Sequence, residues 1–244
     1  MLLSIIIPVH NEENTLVEIV HKILDLKLPE SVTKEIIILD DFSTDGSGEI
    51  IKNLGEEYRA IRVFQNEVNL GKSLTVKRGI NESLGDYIIV QDADLEYCPD
   101  DIVRMVELMM EEKLDVVYGN RFGKRSKVIY LRNYIGNRIV SLVSNVFTFL
   151  RIKTWIPDME VCYKLIRGSI ARKIANDLKS KSTFGFEPEI TAKLSRFERK
   201  GKHLKFGILP VSYYPRTIEE GKHMRAFKDG FKAILEIFRF NLFN

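Results

Sequence analysis

Residues 86–101 read DYIIVQDADLEYCPDD: an apolar run, Tyr87 to Val90, followed within eleven residues by five carboxylates. A short run without polar alternation suits a strand buried on both faces. The carboxylates at its end stand out in a chain whose 37 Lys and Arg against 34 Asp and Glu leave a net charge of +3. Either they form a solvated turn or they hold something positive. Asp92 and Asp94, one residue apart, can both reach a single hard cation, and Glu96 can add a third oxygen. Oxygen-only ligands suit Mg²⁺ or Mn²⁺, which keep waters and bind substrate phosphates at the same time. The plain alternative is an acidic turn with Asp100 as a helix cap. Pro99, Asp100 and Asp101 mark the first turn of a helix through Lys113. The four histidines are scattered without helical ligand spacing, so zinc is not expected.

Working outward, the same alternation repeats. LLSIIIPVH (2–10), KEIIILDD (34–41), AIRVFQN (60–66) and LDVVYGNRF (114–122) read as strands. Helical periods separate them at 11–26, 48–58 and 71–83. Apolar strands alternating with helices predict a mostly parallel central sheet covered on both faces, with ligands at the carboxyl ends of its strands. Beyond residue 125 the alternation fails. Residues 131–152 and 184–197 read as helices, the first too polar to span a bilayer, and 204–215 contain a strand. The tail 223–243 is amphipathic, with Phe227, Phe231, Ile234, Leu235, Phe238 and Leu242 on one face and Arg225, Lys228, Lys232 and Arg239 among them.

At 244 residues, 45% hydrophobic and 29% charged, the chain reads as a globular protein with one large domain. The expected division is a domain over 1–225, with a first half at 1–125 where strands and helices alternate and a second half at 126–225, then an amphipathic helix at 226–244. Cys98 and Cys162 lack CxxC spacing and read as free thiols of a reducing compartment. Neither a signal peptide nor a membrane span is expected. Basic residues gather late: six between Arg121 and Arg138 with no acid, and 11 against five acids from Arg196 onward. That balance fits a solvated surface, a phosphate-bearing partner or an anionic membrane surface.

Three further clusters sit at strand ends. In PVHNEENT (8–15), Asn11 or Glu12 either caps a helix or, for Glu12 with the backbone at Pro8 and His10, lines a nucleoside pocket. In LDDFSTDGS (39–47), the carboxylates either make an Asx turn or accept from a nucleobase N–H or a ribose hydroxyl. NLGKSL (69–74) resembles a P-loop, but the required glycine five residues before Gly71 is Asn66, which argues against one; Lys72 can still reach a phosphate as a point charge. Arg121, Arg132, Arg216 and Lys222 are either surface charges or phosphate ligands.

Taken in order, PVHNEE, LDDFSTDGS, GDYIIVQDADLEYCP and GNRF resemble the family 2 glycosyltransferases with the GT-A fold, above all the polyprenyl-phosphate (dolichol-phosphate) mannosyl- and glucosyltransferases. The resemblance covers about Leu3 to Asp229. It implies a hexosyl transfer from a nucleotide sugar, GDP-mannose or UDP-glucose, to a polyprenyl or dolichyl phosphate, with inversion at the anomeric carbon and with Mg²⁺ or Mn²⁺. Pro8, His10, Glu12, Leu39 and Asp41 match nucleoside-holding positions. Asp92, Ala93, Asp94 and Glu96 match the metal and diphosphate motif, with Asp92, Asp94 and Glu96 as metal ligands. Arg121 matches the arginine of a G-x-R-[YF] element. DMEVCYKLIR (158–167) offers Lys164, and PRTIEEGKH (215–223) offers Arg216 and Lys222, to the diphosphate. Asp94, Arg121, Asp158 and Arg216 are the implied catalytic set, and Arg121 with Arg132 the acceptor-phosphate set. If the acceptor were instead a sugar hydroxyl of a glycan, Asp158 or Glu160 is the candidate base. The third possibility is a non-catalytic nucleotide-sugar binding protein. His10 departs from the usual Tyr, Glu96 from Gln or Ser, Cys162 from Gly, and Gly136 from a Ser found in some mannosyltransferases. The implied setting is peripheral, at the cytoplasmic face of a membrane, with a membrane surface or membrane-anchored protein as partner and no nucleic acid. The tail either lies in the membrane interface or packs on the domain.

Overall fold

Strands β1 (Leu2–Val9), β2 (Thr33–Asp40), β3 (Ile61–Gln65) and β4 (Tyr87–Val90) form one side of a seven-stranded sheet. A computed structural model describes residues 1–123, 131–180, 185–216 and 226–243, with side chains from 230 onward in the last stretch. β1 is central. It pairs parallel with β2 on one flank, Ile5 opposite Ile36, and with β4 on the other, Ile5 opposite Ile89. Leu3, Ile5, Ile6, Ile7 and Ile36 to Leu39 are fully buried, as expected for strands covered on both faces.

The helices α1 (Leu16–Leu24), α2 (Ser47–Glu57), α3 (Lys72–Glu82) and α4 (Asp100–Glu111) are the crossovers. α3 comes close to the sheet because Gly79 lacks a side chain: a Cβ there would lie 2.5 Å from Ile6 and 2.8 Å from Leu39. α1 begins at Leu16 rather than at residue 11. Asn11 takes a left-handed conformation, φ 56°, and its side chain accepts the Thr44 backbone N–H at 2.8 Å, tying the loop after β1 to the loop after β2.

Among the described residues, the second half contains three strands that periodicity did not disclose, Lys164–Arg167, Glu198–Arg199 and Lys202–His203. β6 (Lys164–Arg167) inserts between β4 and β5 (Val116–Asn120) and runs antiparallel to both, while β9 (Phe206–Pro210) pairs parallel with β5 at the edge. The β6 sequence, KLIR, sets only two apolar residues between charges, whereas the equally short β4, YIIV, is an unbroken apolar run. A short hairpin of β7 (Glu198–Arg199) and β8 (Lys202–His203) stands apart from the sheet. α6 (Gly168–Asn176) follows β6, and the remaining helices α5 (Leu131–Ile152), α7 (Phe186–Arg196) and α8 (Ala226–Leu242) pack against one another. The order β3-β2-β1-β4-β6-β5-β9 reverses direction between β1 and β4. In open α/β sheets that reversal opens a crevice beyond the carboxyl ends of the two strands.

Candidate active site

A cleft of about 240 Å³ lies at this reversal, lined by Pro8, His10 and Glu12 after β1, Asp41 after β2, Lys72 and Thr75 on α3, and Asp92 to Asp94 after β4. The three loops that supply it each contain a non-glycine residue in the left-handed region: Asn11, Phe42 (φ 61°) and Leu95 (φ 60°). Such backbone is uncommon outside glycine and persists where surrounding contacts over-determine it.

Asp41 is buried and holds the entry to α3. One oxygen accepts the Leu70 N–H and the Asn66 amide, and the other the Gly71 N–H, each at 2.8 Å. Gly71, at φ 79°, makes the turn. The His10 ring is exposed at the rim; Nδ1 donates to the Asp41 carbonyl at 3.0 Å and Nε2 accepts from the Asn69 amide at 3.2 Å, which sets its tautomer. Leu39 is fully buried on β2 beneath Gly79, so its side chain belongs to the core.

On the other wall, Asp92 receives Lys72 at 2.6 Å. Burial works against the Lys72 charge, but Asp92, with Cys162 and Glu187, holds its pKa well above the usual lysine range. Arg216 spans the cleft mouth, donating to Glu12 at 3.0 and 3.2 Å and standing 3.3 Å from Asp94. Burial, then the charges of Asp92 and Glu96, raise Asp94 to about 7. The pair Asp92/Asp94 is therefore an acidic site whose charge calls for cations, which Lys72 and Arg216 supply here.

Glu96 has a different place from the one expected. The left-handed turn at Leu95 points it toward residues 212–216, where its carboxylate accepts the Tyr213 hydroxyl and the Arg216 backbone N–H, both at 2.7 Å. It seats the segment that carries Arg216. Among the described residues no group of three His, Cys, Asp or Glu is placed to hold an ion. The donors that fit a divalent cation are the oxygens of Asp92 and Asp94, with the rest of the shell left to substrate phosphate and water.

Arg121 and Asp158 form a second, deeper pair. Asp158 is fully buried, and its two oxygens take the Arg121 guanidinium at 2.7 Å each and the Arg121 backbone N–H at 3.0 Å. Arg121 also lies 5.1 Å over the Tyr213 ring. Tyr213, Tyr97 and Tyr163 form an aromatic column, with centroids 5.1 and 4.6 Å apart. No sequence pattern announced this column, because its members lie on three distant segments.

Lys164 is buried behind the cleft, where it donates to the Val161 carbonyl and lies 5.3 Å from the Tyr118 ring; burial lowers its pKa. Nearby, Glu160 has a buried oxygen, Oε1, with no hydrogen-bond partner among the described residues, and burial followed by the charge of Glu187 raises it to about 8. Arg132 is exposed in the first turn of α5, outside the cleft lining. Lys222 lies outside the described residues. Sequence reasoning gave Lys72 only a phosphate to reach; its partner Asp92, twenty residues away, was not legible. The signal available was its position at the first turn of a helix that faces a strand end.

Over 128 residues the chain is 34% identical to the dolichol-phosphate mannosyltransferase of Pyrococcus furiosus, covering 52% of this chain and 35% of that one. It is 26% identical over 176 residues to the dodecaprenyl-phosphate galacturonate synthase of Rhizobium johnstonii, covering 70% and 49%. The chain thus spans about a third to a half of the length of these curated relatives. Glucosyl-3-phosphoglycerate synthase from Mycobacterium tuberculosis, solved with Mn²⁺ and uridine diphosphate, superposes with a TM-score of 0.63 at 18% identity, over 98% of this chain and 79% of that one. S. aureus TarS 1–349 superposes with a TM-score of 0.61 at 18% identity, over 98% and 66%. These two establish the GT-A fold. The family model for glycosyl transferase family 2 matches residues 4–175, which include β1, the cleft carboxylates and Arg121, and the chain is a member of that family.

Proposed function

We propose that the chain transfers a hexose, mannose or glucose, from a nucleotide sugar to a polyprenyl phosphate, with inversion and with the help of Mg²⁺ or Mn²⁺. The observation that carries this is the meeting of Asp92 and Asp94 with Lys72 and Arg216 at the mouth between β1 and β4. It is a site that balances negative charge with positive in the manner a diphosphate and a cation require.

The nucleoside enters against Pro8, His10 and Asp41. Asp41 Oδ2 accepts only the Gly71 N–H among its described hydrogen bonds, so it retains capacity for a nucleobase or ribose donor. Asp92 and Asp94 would hold the divalent ion, which neutralises charge on the departing diphosphate. Arg216 and Lys72, which stand beside Asp94 and Asp92, would offer a guanidinium and a point charge to the phosphates. A lipid phosphate is ionised near neutral pH and attacks without a base. The Asp158 geometry supports such an acceptor, because both of its oxygens are taken by Arg121. The names of two relatives, a dolichol-phosphate and a dodecaprenyl-phosphate enzyme, support the same acceptor class.

One observation favours a second reading. Glu160, with a buried oxygen that has no partner among the described residues and with a raised pKa, has the character of a base for a sugar hydroxyl. Labelled GDP-mannose and UDP-glucose, offered with dolichyl phosphate or an oligosaccharide and with or without Mn²⁺, separate the two. Label in the lipid fraction, dependent on Mn²⁺, is the expected result. Transfer to the oligosaccharide that is lost in Glu160→Gln would replace the lipid reading with the glycan one. No transfer from any donor would overturn both.

A further inference from the structure

Among the described residues, the cations around the cleft are each met by a carboxylate. Lys72 meets Asp92 at 2.6 Å, Arg216 meets Glu12 at 3.0 Å, and Arg121 meets Asp158 at 2.7 Å. Behind Lys72 the charges continue inward. Its ammonium stands 3.9 Å from the buried Cys162 thiol. Two residues on, Lys164 opens β6 with its ammonium buried against the Tyr118 ring. Tyr118 bonds Thr191 on α7 at 2.9 Å, and the first turn of that helix supplies Glu187. After burial, the charge of Glu187 is the strongest influence on both Lys164 and Glu160.

The three side chains have hydrogen-bonding capacity left over. Glu187 is only 7% exposed, and its carboxylate accepts no hydrogen bond among the described residues. Glu160 is half-buried, with Oε1 sealed and without a partner among those residues. Lys164 uses one N–H on the Val161 carbonyl and has two more to donate. Buried polar groups left unmatched are costly, and a bound ligand is one thing that can match them. Their place tells which ligand. On one side lie Asp92 and Lys72, given above to the diphosphate. On the other lies Arg121, implied for the acceptor phosphate. Displacement with inversion puts the transferred sugar between the leaving group and the nucleophile.

Resting on the nucleotide-sugar reading above, we infer that Glu160, Lys164 and Glu187 take the hydroxyls of an uncharged hexose and turn away uronic sugars. Carboxylates accept from hydroxyls and the ammonium donates to them. Two carboxyl groups face one ammonium here, and Lys72 and Arg121 are committed to Asp92 and Asp158. A uronyl carboxylate would enter beside Glu187 with no described cation left to meet it, and like charges so placed repel strongly. The cluster already resists a second negative charge: burial, then Glu187, raise Glu160 to about 8. The hydroxymethyl group of mannose or glucose occupies the same ring position without charge. Exclusion by an unanswered charge is as effective a source of specificity as a favourable contact. The Rhizobium johnstonii relative is by name a galacturonate synthase, so the two chains would differ in donor class.

The test is calorimetry of the full chain with Mn²⁺ against UDP, UDP-glucose and UDP-glucuronic acid, and against GDP, GDP-mannose and GDP-mannuronic acid. For whichever nucleotide binds, the uronyl form should bind at least about tenfold more weakly than the hexosyl form. Glu187→Gln removes the repelling charge and should narrow that ratio to about threefold or less. Lys164→Gln should weaken the hexosyl form by roughly tenfold and leave the bare nucleotide unchanged, which separates a sugar contact from a diphosphate contact. Melting temperatures report whether each variant folds, and the wild-type ratio and Lys164→Gln decide the matter if Glu187→Gln does not. Equal binding of the two sugar forms by the wild type overturns the inference. So does a ratio that Glu187→Gln leaves unchanged, or a Lys164→Gln loss shared by the bare nucleotide. Nucleotide binding without discrimination removes this inference alone. Binding of no nucleotide and no nucleotide sugar removes the reading it rests on as well.

Discussion

The chain carries two acidic pairs of the same spacing, Asp92-Ala93-Asp94 after β4 and Asp158-Met159-Glu160 before β6. They have opposite fates. The first stands at the cleft, half-buried, with its cations arriving from α3 and from residue 216. The second is closed: Asp158 is consumed by Arg121, and one Glu160 oxygen is buried without a partner among the described residues. Spacing alone does not make a ligand site. What separates the pairs is whether the fold leaves the oxygens facing open space or a fixed arginine.

Asp158→Asn tests the closed pair most severely. It leaves the Arg121 charge buried and uncompensated, a change that typically costs about 3–5 kcal/mol. Denaturant unfolding should show that loss even without substrate. A variant as stable as the wild type would mean that Arg121 finds another partner, and the distinction between the pairs would blur.

Asp94→Asn is the matching test of the open pair. It should leave the fold intact and lower turnover by roughly a hundredfold to a thousandfold, the scale of removing one charge-stabilising group. Thermal shifts with nucleotide and Mn²⁺ provide an independent readout. Wild type should gain stability from the two together, by mass action, and the variant should gain little from the metal. Full activity in Asp94→Asn would end the metal reading.

The third test is pH. Glu160 faces Glu187, Lys164, Arg121 and Asp158, and its folded pKa is raised from 4.5 to about 8. An acid raised on folding contributes stability that is fully present below its unfolded pKa and is lost as pH rises through its folded pKa. Glu160→Gln cannot ionise, so its melting temperature should gain on that of the wild type by a few degrees between mildly acidic pH and pH above 8. A gap independent of pH would show that Glu160 is not the titrating group.

Glu96→Gln should have the smallest effect. Gln still offers an oxygen to the Arg216 N–H or the Tyr213 hydroxyl, so turnover is expected within about threefold of wild type, with the metal requirement unchanged. A change in metal preference would return Glu96 to the ion.

Much of the sheet could be read directly from the chain. Buried parallel strands such as IIIPV and IIILD announce themselves by unbroken apolar runs, and the cleft residues Pro8, His10, Glu12, Asp41, Asp92 and Asp94 lie within a few residues of those runs. β6 was hidden because KLIR sets only two apolar residues between charges, unlike the equally short YIIV of β4. Leu39 was read toward the nucleoside, although its place on a doubly covered strand sends it into the core. Glu96 was read as a metal ligand or a carboxylate beside the metal; a left-handed residue after Asp94 turns it to Tyr213 and the Arg216 N–H, and backbone handedness at a non-glycine residue leaves no mark on composition.

By itself, then, the sequence determined the strand and helix alternation, the position of the cleft carboxylates and the excess of positive charge in the second half, because these depend on local periodicity and residue type. The tertiary structure decided which carboxylates line the cleft and which are locked beneath it, since Arg121, Lys72 and Arg216 reach their partners across 37, 20 and 122 residues. It also decided that α5 turns its apolar stripe outward. An amphipathic period is the same whichever side faces the domain, and only the hydrogen bonds of Ser141 and Asn145 to residues 156 and 159 settle the direction.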